Sequence, residues 1–98
     1  MLIDFHTHCF PDRIAAGAIK TVSGNAGGLV PYTDGTFSGL SSFMHNQGVE
    51  KFVVLNIATN EHQMTAVNDF AAEINANDGV TAFGSVYPRA KNVFEELE

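Results

Sequence analysis

A chain of 98 residues with 5 basic and 11 acidic side chains carries a formal net charge of −6, and 45% of its residues are hydrophobic. That composition excludes the low-hydrophobicity, high-charge mixture that stays disordered, and the acidic balance speaks against nucleic acid or an anionic membrane surface, both of which select lysine and arginine. The length suits one domain and falls far short of a complete eight-stranded α/β barrel of roughly 250 residues.

Leu2 to His6 predicts a first strand, and its Asp4 and histidines leave no place for a basic leader followed by an apolar run, so no signal peptide is expected. Phe10-Pro11-Asp12 opens a helix over about 11–22, with proline tolerated in the first turn and Asp12 favoured by the helix dipole. Ile14, Ala15, Ala18, Ile19 and Val22 recur at helical spacing on one face. Ser23 to Gly35 holds Gly24, Gly27, Gly28, Gly35 and Pro31 and predicts a loop. It follows a helix rather than a strand and lacks the Gly-x-Gly-x-x-Gly spacing, so it is no phosphate cradle.

A second helix is expected over about 37–47, with Leu40, Phe43, Met44 and Gln47 on one face and Gly48 in the left-handed position that ends it. The run Phe52 to Ile57 is nearly continuous and apolar, the pattern of a parallel strand covered on both faces. Its unbroken core, Phe52-Val53-Val54-Leu55, is 4 residues, against the ~20 that cross a bilayer. Asn60 caps the next helix, over about 61–76, with Gln63 three residues on as a capping-box variant and Met64, Val67, Phe70, Ala71 and Ile74 as its buried stripe. Asn77-Asp78-Gly79 turns into a third strand over about 80–86, Pro88 stops it, and 91–98 begins another helix. Strands alternating with helices imply an α/β fold with a parallel sheet and open edges through which copies can associate.

The chemistry concentrates in Asp4-Phe5-His6-Thr7-His8. Alternate residues of a strand share a face, so a regular strand sets Asp4, His6 and His8 together. The two histidines then stand about 6.6 Å apart along the strand, at ~3.3 Å per residue. Imidazoles leaning together from that spacing can share a divalent ion at roughly 2.0–2.1 Å, at the carboxyl end of the strand, where α/β sheets place ligands.

Ile3 to Asp12 resembles the amino-terminal signature of the amidohydrolase-related metal-dependent hydrolases, TIM-barrel proteins whose relatives include the aminocarboxymuconate-semialdehyde decarboxylases. The similarity continues through Pro31–Thr36, Phe52–Thr59 and Phe83–Pro88, nearly the whole chain. It implies that residues 1–98 form about the first three of eight βα units of such a barrel, truncated relative to the whole. It implies that His6 and His8 bind a divalent metal, zinc first, that activates water for C–N or C–O hydrolysis or assists a related decarboxylation of a small-molecule substrate. In that family the remaining ligands and the catalytic aspartate come from later strands. They have no counterpart here, so no catalytic residue is assigned and the isolated chain is expected to be inactive.

Around this pair, Asp4 is a candidate to orient a ligand, with a buried hydrogen-bonding role the plainer reading. Asn56, a polar residue in a buried strand, must be hydrogen-bonded to backbone or ligand. His62 begins the helix after the second strand and faces the same end of the sheet, where it can meet a substrate or simply solvent. Arg89, after the third strand, can pair with a substrate carboxylate through its guanidinium, with a surface role the plainer reading. His45 lies beside its helix's apolar stripe and belongs at the surface. Cys9, the lone cysteine, excludes an internal disulfide and fits a reduced cytoplasmic setting. No spaced histidine and amide make it a nucleophile, so it reads as a bystander thiol.

Two other classes stay open. One is a non-catalytic α/β module that binds metal weakly, or a partner through its open edges. The other is a fragment of a TatD-like metal-dependent nuclease, which also opens on His-x-His; Phe10-Pro11-Asp12 and the acidic balance count against it.

Overall fold

The apolar run predicted as a buried strand is the centre of a three-stranded sheet. The computed structural model, which describes residues 1–27 and 30–98, has strands β1 (Leu2–Thr7), β2 (Val49–Leu55) and β3 (Val80–Phe83), all parallel and in the order β1-β2-β3. Helices α1 (Asp12–Asn25) and α2 (Phe37–Asn46) lie between β1 and β2 in sequence, α3 (Glu61–Ile74) between β2 and β3, and α4 (Val93–Leu97) follows β3. This is the expected α/β alternation in an open parallel sheet.

Local chemistry accounts for most element ends. The Asn60 side chain accepts from the Gln63 amide at 3.0 Å and caps α3. The reciprocal half of the capping box is absent, because the Gln63 side chain instead takes the Thr59 hydroxyl. Thr36 caps α2 by accepting from the Gly39 amide and donates its own proton to Asp34. That hydroxyl, with the Thr36 backbone N–H, holds the Asp34 carboxyl below the usual carboxylate range. Gly48 ends α2 with φ +76°, a conformation that a Cβ disfavours.

The predicted loop at 23–35 begins later than expected, since α1 continues through Asn25 and the chain turns at Ala26–Gly27. Residues 28 and 29 of that loop lie outside the described residues. The strand predicted over 52–57 starts earlier, at Val49, and ends at Leu55.

One face of the sheet carries the core. Phe52 and Val54 of β2 and Val80 and Ala82 of β3 pack with Leu40 and Met44 of α2, Ala71 and Ile74 of α3, and Cys9. Met64 and Val67 of α3 are also fully enclosed. Burial of each such aliphatic side chain contributes roughly 1.5–3 kcal/mol. The apolar stripe of α1 is much less used, with only Ala15 buried and Val22 exposed.

The third strand is shorter than predicted, because its partner β2 ends at Leu55, opposite Phe83, and Asn75 at the end of α3 takes its outer edge. The odd-numbered residues of β3 turn their backbone groups toward β2, where the Gly79 carbonyl accepts from the Phe52 amide. Ala82 therefore presents its N–H and carbonyl to the outer edge, and the Asn75 side chain takes both, at 2.8 and 2.9 Å. Asn68, seven residues earlier on the same helix face, repeats the device on Ser85 at 2.7 and 2.8 Å. One amide thus occupies the outward backbone groups of Ala82 in β3 and the other those of Ser85 just past it, so the expected open edge is partly covered by side chains.

Asn75→Ala should cost about 1–3 kcal/mol through three lost hydrogen bonds, two to Ala82 and one to the Ala71 carbonyl, read as a lower urea midpoint, and should raise concentration-dependent light scattering from the freed edge. An unchanged midpoint and clear solutions would show that the amide does not guard it. Gly35, buried at φ +86° with Ile19 against the place where a Cβ would stand, should tolerate Ala poorly, at a cost of about 1 kcal/mol or more.

Candidate metal centre

The pairing of β1 with β2 decides how the histidines are presented. Asp4 stands opposite Phe52 and Thr7 opposite Val54, so three steps on β1 match two on β2 and one extra residue is absorbed as a bulge. Asp4 and Thr7 consequently share the side of Phe52 and Val54, the face covered by helices. This corrects the expectation that Asp4 shares a face with the histidine pair. Its carboxylate instead accepts the His6 backbone amide at 3.0 Å, bracing the bulge from within the strand.

Beyond the bulge, Thr7 and Cys9 turn inward and are buried. The Thr7 hydroxyl donates to the Val53 carbonyl at 2.7 Å. His8, between them, turns to the other side and meets His6 there. The two Nε2 atoms are 3.1 Å apart, with the rings edge to face at 80°. His8 is half-buried and His6 exposed, so the pair is reachable from solvent.

His8 is oriented by backbone. Its Nδ1 lies 2.8 Å from the Leu55 carbonyl at the end of β2, and a carbonyl only accepts, so that nitrogen carries the proton. A neutral His8 therefore turns the bare lone pair of Nε2 toward His6. Between these nitrogens a single donated proton is shared, or one cation can stand in its place. Tetrahedral zinc at 2.0–2.1 Å from each ligand nitrogen spaces two of them about 3.3 Å apart, close to the 3.1 Å found. The pair thus fits half of a zinc shell, including the carbonyl partner that metal-binding histidines use to fix their tautomer.

The other candidates do not join it. Among the described residues no group of three or more His, Cys, Asp or Glu side chains converges on one point. His62 lines a groove between α1 and α3 with Asp12, Arg13, Asp69 and Phe70. Arg89 is exposed in the turn after β3, and His45 is exposed on α2 as expected. Asn56 is buried just past β2, and its amide donates to the Phe83 carbonyl at 2.9 Å, tying β2 to β3. Among the described residues its side-chain oxygen has no partner.

Cys9 is 1% exposed, and burial pushes its thiol up to about 12. It is protonated at neutral pH and unsuited to nucleophilic or ligand chemistry.

No residue-type signal announced the Leu55 carbonyl, because any residue supplies one. The two asparagines seven apart, Asn68 in α3 and Asn75 capping its end, were visible in the sequence, but their targets were not. No family model matches the chain, and neither the curated proteins nor the solved structures compared with it give a match. Among the described residues no helix is long and apolar enough to cross a membrane.

Native Cys9 should resist a thiol reagent such as DTNB at pH 8 and react only as the chain unfolds, with the labelling rate rising in urea in step with loss of structure. Immediate stoichiometric labelling in buffer would place the thiol outside the core.

Proposed function

We propose that this chain supplies two histidine ligands, His6 and His8, to a divalent-metal centre, zinc first, of a metal-dependent hydrolase of the amidohydrolase-related kind. The carrying observation is the convergence of two Nε2 atoms at 3.1 Å with His8 locked by the Leu55 carbonyl. The parallel βα order and the position of the pair at the carboxyl end of β1 support the reading. In this reading the sheet is the opening portion of a barrel and the substrate is a small molecule.

The chain's own residues then divide the work. His6 and His8 hold the ion. Leu55 and the bulge braced by Asp4 aim the imidazoles. Thr7, bonded to Val53, fixes the strand beneath them. A bound zinc ion supplies Lewis-acid polarisation of water or of a substrate carbonyl. No general base is assigned among these residues, so turnover belongs to a complete centre rather than to the pair.

Long-range nitrogen–proton NMR tests the reading directly. The metal-free chain should show His8 with its proton on Nδ1, and zinc should move the Nε2 resonances of both histidines while Nδ1 of His8 stays protonated. His6→Ala or His8→Ala should weaken zinc binding by on the order of tenfold or more, about 1.4 kcal/mol per decade. Zinc that leaves both Nε2 resonances unmoved would refute the assignment.

A further inference from the structure

We propose that Asn56 is a positioning residue for the histidine pair: its side chain ties the end of β2 to Phe83 and so holds in place the Leu55 carbonyl at which His8 is aimed. The proposal rests on the metal-ligand reading above and concerns how that same site keeps its shape.

Three observations carry it. The first is a path of hydrogen bonds that crosses the sheet. The Nδ1 proton of His8 goes to the Leu55 carbonyl at 2.8 Å. Asn56, on the other side of that same peptide bond, sends an Nδ2 proton to the Phe83 carbonyl at 2.9 Å. One peptide unit at the end of β2 is thus held from the β1 side by His8 and from the β3 side by Asn56. A ring whose acceptor shifts loses its aim.

The second is the kind of bond Asn56 makes. The Phe52 N–H donates to the Gly79 carbonyl, and β2 and β3 then pair in step as far as Leu55 and Phe83. Four residues further along both strands, a regular parallel ladder gives the Phe83 carbonyl to the backbone N–H of residue 56. Here the Asn56 side chain takes it, so the reach of an amide, and not only the strand repeat, sets where the Leu55–Asn56 peptide lies. The chain that Asn56 leans on is itself fixed. Ser85 receives the Ala58 N–H on its hydroxyl at 3.0 Å, and Asn68 of α3 holds both of its backbone groups.

The third is what Asn56 gives up. It is 8% exposed, and among the described residues its side-chain oxygen, fully enclosed, has no donor. Strand alternation carries it to the side of Phe52 and Val54, beneath the helices and opposite the imidazoles. Its part in the site therefore runs through Leu55 and not through contact with an ion. A buried acceptor without a donor is a standing penalty. Leucine, of similar size, removes that penalty but leaves the Phe83 carbonyl without this donor. A broken packing rule of this kind is expected where geometry beside a site is kept at the expense of stability.

Nitrogen–proton NMR and zinc titration of the full chain test this with two variants and a control. Asn56→Leu removes the whole amide, and Asn56→Asp keeps its shape without the donor. In the metal-free chain both should make the His8 Nδ1 proton exchange with water at least tenfold faster, and both should weaken zinc binding severalfold. Asn75→Ala loosens β3 from its outer edge without touching the Leu55–Asn56 peptide, and should leave both readings at wild-type values. Wild-type exchange or wild-type zinc affinity in a folded Asn56 variant would overturn the proposal. So would an equal effect of Asn75→Ala, which would make the loss a general loosening. If neither Asn56 variant folds, the wild-type chain decides: the His8 Nδ1 and Asn56 Nδ2 protons should exchange at matching rates, and unrelated rates would overturn the link. A wild-type chain whose Nε2 resonances ignore zinc would refute the ligand reading alone, and the metal-free exchange rates would then decide the role of Asn56.

Discussion

One extra residue in β1 governs the geometry on which the candidate site depends. Parallel strands pair residue by residue, and a side chain's face follows from its register. Between Asp4 and Thr7 the first strand takes three steps while β2 takes two. Without that bulge the strand would carry Asp4, His6 and His8 on one side. With it, Asp4 stays on the covered face and returns its carboxylate to the His6 amide, while Thr7 and Cys9 enter the core and the two imidazoles emerge together on the bare face. Bulges are common beside functional sites because they re-aim a side chain without breaking the sheet.

The molecule treats its two faces and its two outer strands differently. Helices α2 and α3 bury one face, and the opposite face keeps exposed aromatic and aliphatic groups around the histidines. At β3 the amides of Asn75 and Asn68 occupy outward backbone groups that would otherwise invite another strand. Glu96 of α4 accepts from Asn68 and Thr65, so α4 is drawn onto the same helix. Pairing of a further strand is thereby discouraged at Ala82 and Ser85.

Much of this was legible from residue order, for physical reasons that differ by element. The Asn60 cap and the Gly48 terminus rest on local hydrogen bonding and on φ, which depend on few neighbours. The α3 stripe emerged because Met64, Val67, Ala71 and Ile74 repeat at the period of the helix itself. The ends of β3 and the faces of β1 were less legible. The end of β3 follows from where β2 stops, at Leu55 opposite Phe83, and the bulge reflects a match between two strands some 46 residues apart. The stripe of α1 shows the converse limit, since amphipathic spacing foretold its helix but not how little of that face would be buried.

The sequence by itself determined the βα alternation, the apolar central strand and the presence of two imidazoles two residues apart, because composition and periodicity act over a few residues. Only the tertiary structure decided that those imidazoles converge, that Asp4 leaves them, that His8 is held by Leu55, and that Asn56 serves as a tie between strands. Each of these is a hydrogen bond or a register choice made with a distant segment, and such choices exist only once β1, β2 and β3 lie side by side.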